Sequence, residues 1–153
     1  MTLRIVKTGL AVVLVGAALV AQAAAEYGTS AEAKAMLERA VAALKANKAN
    51  ALSMFSKGEG GFKEKDLYPF CGGPDGIFTA TPIPSLVGKS LRELKDKAGK
   101  PLGEEIYKSA QEGKVTEVSY MWPRPGGTEL VAKVTYCTKV ADQICCVGYY
   151  KQP

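Results

Sequence analysis

The sequence has no histidine among its 153 residues. That removes the usual general base of a serine or cysteine triad and the commonest zinc ligand. It also has no C-x-x-C pair, because its four cysteines are Cys71, Cys137, Cys145 and Cys146. A zinc knuckle or dithiol redox centre would need that spacing. Two glycine-rich stretches, "GEGGF" and "CGGPDG", lack the lysine and Ser/Thr of a phosphate-binding loop. They read instead as a helix stop and a hairpin turn. The acidic residues are scattered without a close pair, so a two-carboxylate hydrolase has no candidate residues. After the first 25 residues there is no long hydrophobic run, no repeat and no low-complexity tract. The expectation is a protein that is not an enzyme and uses no cofactor or metal.

What is present begins with an export signal. "MTLRIVK" carries Arg4 and Lys7, "TGLAVVLVGAALVA" is apolar and uncharged, and "AQAAAE" supplies small residues at a cleavage junction. This reads as a secretory signal peptide, because its apolar stretch falls short of a membrane span. The A-x-A pattern allows cleavage after Ala23 or Ala25, and the latter is taken; a retained anchor is the alternative. The division is 1–25 as signal peptide and 26–153 as one domain. The 128 residues left suffice for a single core. Without Arg4 and Lys7 the formal charge falls from +5 to +3, and the lysines are interleaved with acids, as in "KEKD". Nucleic-acid binding would want a concentrated basic stripe, so no nucleic acid is expected as a partner. The location is periplasmic or secreted.

Residues 30–56 read as one amphipathic helix capped by Ser30, with Met36, Leu37, Leu44 and Phe55 on its apolar face and an interruption at "KANKAN". "DLYPFC" and "GIFTATP" flank the turn cluster "GGPDG" and predict two antiparallel strands. Pro69 inside the first favours an edge or a bulge, since proline donates no ladder hydrogen bond. The polar segment that follows predicts two short helices. Ser90 with Glu93 matches a capping box, Pro101 suits a helix start and Gly113 an end. Three more strands come from "TEVSYMW", "ELVAKVTYCTKV" and "QICCVGYY". The second alternates with period two, as in a sheet with one face buried, and "KVADQ" is a hairpin connection. The fold class is therefore α+β: a five-stranded antiparallel sheet with a long N-terminal helix on one face and a helical connection on the other.

An even number of cysteines in an exported chain argues for disulfides. Neighbouring strand residues point to opposite faces, so Cys145 and Cys146 take different partners. If 130–139 pairs with 144–150 through the short turn, Cys137 lies nearly opposite Cys146, and a register slip of one residue substitutes Cys145. Cys71 takes the remaining thiol. The expected bridges are Cys71–Cys145 and Cys137–Cys146, against the alternative of a four-thiolate metal site.

Three blocks, "DLYPFCGGPDGIFTATPIPSLVGKSLRELKDKAGKPLGEEI", "EVSYMWPRPGG" and "KVTYCTKVADQICCVGYY", together resemble a single Cache domain. This is the PAS-like extracytoplasmic sensor module of bacterial chemoreceptors and histidine kinases, and the resemblance covers about residues 30–151. It implies a pocket between the sheet and the long connection for a small carboxylate or amino acid. Tyr68, Phe78, Tyr120, Trp122, Arg124 and Lys133 are the matching site residues. Aromatic side chains would shape and dry such a site, and one guanidinium can hold a carboxylate bidentately. Thr81 stands before Pro82 where the family pattern often has histidine. The resemblance also implies receptors that continue into a membrane helix, so a stand-alone periplasmic form is expected here. The plainer readings are that "MWPRP" is a rigid strand end with its arginine in water, and that Lys133 is an exposed strand lysine. Of Tyr149 and Tyr150, at most one faces the core. Two other functional classes remain open: a periplasmic thiol/disulfide redox protein, and an accessory partner docking on a membrane receptor or kinase.

Overall fold

The computed structural model describes residues 26–152; the expected signal peptide and its cleavage site lie outside them. Helix α1 (Ser30–Ala46) opens on a reciprocal capping box. Thr29 Oγ1 accepts the Glu32 N–H at 3.2 Å, and Glu32 Oε2 accepts the Thr29 N–H at 2.8 Å. The cap is thus Thr29 rather than Ser30, whose hydroxyl instead meets the Tyr136 hydroxyl at 2.6 Å. The expected single helix is two. Asn47 adopts extended backbone, ends α1, and caps α2 (Lys48–Lys57) by accepting the Asn50 N–H at 3.0 Å. An asparagine side chain can replace the helical N–H partner in this way, so the polar interruption becomes a corner rather than a continuous turn.

Five strands follow: β1 (Pro69–Gly72), β2 (Phe78–Ala80), β3 (Thr116–Pro123), β4 (Leu130–Val140) and β5 (Gln143–Tyr150). They form one antiparallel sheet in the order β2-β1-β5-β4-β3. Pro69 is not on an edge strand. It is the first residue of β1 and pairs only toward β5, while pairing with β2 starts at Cys71 and carries an irregularity there. The missing N–H of proline therefore falls where no β2 neighbour needs it.

The connection between β2 and β3 holds a short 3₁₀ turn (Pro84–Leu86) and α3 (Leu102–Ser109). Ser90 Oγ does accept the Glu93 N–H at 3.1 Å, but no helix follows. The N–H groups of Leu91 and Arg92 go to Gly76 O in the β1–β2 turn, at 2.7 and 3.1 Å, which ties the connection to the hairpin. α3 begins after Pro101 and stops at Ser109, short of Gly113.

Two apolar clusters lie on opposite faces of the sheet. Met36, Leu37 and Phe55 pack with Val134, Tyr136 and Val147 on one side. Phe70, Phe78, Leu91, Leu102 and Ile106 pack with Val118 and Tyr120 on the other. In consequence β4 is buried on both faces from Lys133 to Thr138, not on one as its alternation predicts. Period two distinguishes the faces of a strand but does not say what covers them. The structure joins Cys71 to Cys145 and Cys137 to Cys146. The adjacent cysteines of β5 reach opposite layers: Cys145 belongs to the helix-side cluster and Cys146 to the connection-side cluster.

Candidate functional site

The connection-side layer does not fill completely. A small apolar chamber of about 20 Å³, roughly the room of one water, remains between sheet and connection. Tyr68, Phe70, Phe78, Tyr120 and Trp122 wall it from the sheet; Ile83, Leu86, Leu94 and Leu102 wall it from the connection. Thr81 also lines it, with its Oγ1 already accepting the Ile83 N–H at 3.2 Å. The chamber opens past Tyr68, Leu94 and Trp122 into a solvent-exposed cleft of about 610 Å³. Lys63, Lys95, Lys97 and Arg124 line that cleft, and none of the three lysines forms an ion pair among the described residues.

"RPGG" is a tight turn at the mouth of the cleft. The Gly127 N–H bonds Arg124 O at 2.9 Å, and Gly126 has φ +76°. Proline at the second position and a left-handed glycine at the third are the signature of a type II turn. Arg124 is held at its start, with its side chain largely buried beside Asp66. The rigid-turn and pocket-rim readings of this segment thus describe the same residues.

Lys133 is not an exposed strand lysine. It is 2% exposed, and its Nζ donates to Tyr68 Oη at 3.0 Å and Tyr150 Oη at 3.4 Å. Both rings also present faces to it, with centroids at 4.4 and 4.6 Å. Gly148 makes room for it: a Cβ there would fall 2.6 Å from Lys133 Cε. Lys133 does not line the chamber; it lies behind Tyr68, which does. The Tyr150 hydroxyl donates to Pro123 O at 2.7 Å. The hydroxyls of Tyr68 and Tyr150 thus converge on the amine. Burial pushes the phenols of Tyr120 and Tyr150 far up, which keeps both neutral. Of the last two tyrosines, Tyr150 faces this layer and is fully buried, while Tyr149 stacks on Tyr136 on the helix side.

Tyr68, Phe78, Tyr120 and Trp122 therefore meet around one chamber, Arg124 stands at its mouth and Lys133 supports it from behind. Asp66, Tyr150 and Asp96 join the site only through tertiary contacts. In "KEKD" Asp66 reads as solvated charge, whereas it is buried between Arg124 and the Gly28 N–H.

Asp96 fastens the outer wall. Its Oδ1 accepts the N–H groups of Ala98 and Lys100 at 2.9 and 2.8 Å, and its Oδ2 accepts that of Met121 on edge strand β3 at 3.0 Å. The Met121 bond, then those from Lys100 and Ala98, hold this carboxyl below the ordinary aspartate value of 3.8. A depressed value in the folded state stabilises the fold above the ordinary pKa and stops doing so as pH falls through the lower one. Asp96→Asn should therefore be less stable than the parent by about 1–2 kcal/mol at neutral pH. Urea midpoints should converge below pH 3.8. A gap that stays constant or widens on acidification would refute this role.

A five-stranded antiparallel sheet in this order, backed by a long helix and closed over a chamber by its connection, is the architecture of PAS-like sensor domains. The description "Single Cache domain 2" matches residues 7–149, and the chain belongs to that family. Cache domains are extracytoplasmic, sensory and non-catalytic. No helix among the described residues is long and apolar enough to cross a membrane. A methyl-accepting chemotaxis protein from Vibrio parahaemolyticus RIMD 2210633 is similar at 27% identity and TM-score 0.64, over 78% of this chain and 86% of that one. The periplasmic sensor domain of a chemotaxis protein is similar at 22% identity and TM-score 0.60, over 78% and 88%. A Cache chemosensory domain described for its carboxylic acid recognition is similar at 22% and 0.57, over 78% and 86%. No curated protein sequence matches the chain.

Proposed function

We propose that this protein is a non-catalytic extracytoplasmic receptor domain for a small organic acid, bound in the cleft through its carboxylate with its apolar part against Tyr68, Leu94 and Trp122 at the mouth of the chamber. The observation that carries the reading is Lys133, a buried amine that forms no ion pair with an acid among the described residues. An uncompensated buried cation is unfavourable alone, and an anion brought near it recovers that energy. Tyr68 stands between the two, accepting from Lys133 with its hydroxyl while its ring walls the chamber. Arg124 adds a second cation at the mouth.

The same geometry favours an acid over an amino acid. A ligand ammonium would need a free carboxylate, and the two acids nearby are engaged. Asp96 accepts three backbone N–H groups, and Asp66 faces Arg124 and accepts the Gly28 N–H. The redox alternative finds less support, since all four cysteines are bridged and fully buried, beyond reach of an attacking thiolate.

A thermal-shift screen of monocarboxylates against the matching 2-amino acids tests the proposal. Saturation at one hundred times the dissociation constant should add about 2.7 kcal/mol of apparent stability for an acid that binds. Arg124→Ala should remove the shift. Amino acids that bind while the acids do not would overturn the reading.

A further inference from the structure

Arg124 is gripped from both ends of the domain. Its guanidinium carbon lies 4.1 Å from the centroid of Tyr27, which precedes α1, and 5.1 Å from that of Tyr150, which ends β5. Its Nε faces Asp66 Oδ2 at 3.5 Å, while the other Asp66 oxygen accepts the Gly28 N–H at 2.7 Å. Gly28 is buried and pressed on the next residue of that segment, since a Cβ there would fall 2.3 Å from Leu67 Cγ. Residues 27 and 28 thus reach the arginine twice, through the Tyr27 ring and through Asp66.

The arginine so held is incompletely satisfied. Nε and Nη2 of Arg124 and Oδ2 of Asp66 are buried without a hydrogen-bond partner. A buried donor left unbonded is costly, so ring packing and charge, rather than hydrogen bonds, hold the guanidinium where it lines the cleft. Nη1, which is not among these buried nitrogens, is the donor the stacked guanidinium can offer a ligand. Its position then depends on the rings that stack on it.

We infer that Tyr27 is a positioning residue of the ligand site: docking of residues 27 and 28 on Arg124 and Asp66 holds the guanidinium for an anion, and anion capture tightens that docking. The second half follows from the first, because coupling between two binding events is reciprocal. The inference rests on the proposed carboxylate reading and adds that the segment entering α1 senses occupancy of the cleft.

Two measurements test it. Without ligand, hydrogen exchange at the Gly28 amide should be at least tenfold faster in Arg124→Gln than in the parent, with the Val147 amide unchanged. Equal Gly28 exchange in the two proteins would overturn the inference whatever the ligand proves to be. With propionate, acetate and lactate as probes, Tyr27→Ala should weaken calorimetric affinity about tenfold. Tyr27→Phe, which keeps the ring, should restore it. Affinity unchanged in Tyr27→Ala, even with a lowered thermal midpoint, would overturn the inference and leave the carboxylate reading standing. If none of the three acids binds the parent protein, both fail together.

Discussion

Lys133→Met should leave the unliganded protein about as stable as the parent, or more so, and reduce affinity for a bound carboxylate at least about 100-fold. The two halves of this expectation have one cause. Lys133 is buried with two phenol oxygens for company and no acid, so its desolvation is only partly offset in the empty protein. Methionine fills a similar volume without a charge, and Tyr150 keeps its bond to Pro123 O. A ligand carboxylate would lose the field of the amine. Thermal midpoints without ligand and calorimetric titration with propionate measure the two halves separately. A variant that binds within a few-fold of the parent would show that the amine does not serve the anion. A large fall in the unliganded midpoint would show that it serves the fold.

The two disulfides should be unequal. Cys71–Cys145 closes a separation of 74 residues and Cys137–Cys146 one of 9. In the chain-entropy account, a longer closed loop restricts the unfolded state more. Cys71→Ala with Cys145→Ala should therefore cost about 4 kcal/mol, and Cys137→Ala with Cys146→Ala about 2.5 kcal/mol. The first bridge also fastens β1 to β5 on the face that α1 covers, whereas the second only doubles a hairpin already closed by its turn. Urea unfolding of both variants gives the comparison. Equal losses, or the reverse order, would sink the loop-length argument and point to local packing instead.

Much of the frame was legible because it depends on local patterns. The strands, the hairpin at "KVADQ" and the helix start after Pro101 follow from period, turn residues and proline stereochemistry. The Thr29 box has the T-x-x-E spacing, but Ser30 beside it is an equally good cap by residue type, and only the backbone geometry separates them. The break at Asn47 was visible only as a polar interruption. Whether such an interruption bends a helix or lies on its outer face depends on what the next turn packs against. Phe55 stacks edge-on with Phe62 at 4.6 Å, a contact between α2 and the segment leading to the sheet.

The sequence by itself determined that no histidine chemistry occurs, that the domain is α+β, and which residues of 130–138 alternate between the two faces of a strand. Those properties belong to residue type and backbone period, and they survive any packing. The tertiary structure alone decided that Lys133 is buried, that Asp66 and Tyr27 meet Arg124, and that the connection leaves a chamber beside Trp122. Each of these is a contact between segments separated along the chain. Such contacts are set by which layers cover a strand, and the strand's own residues do not carry that information.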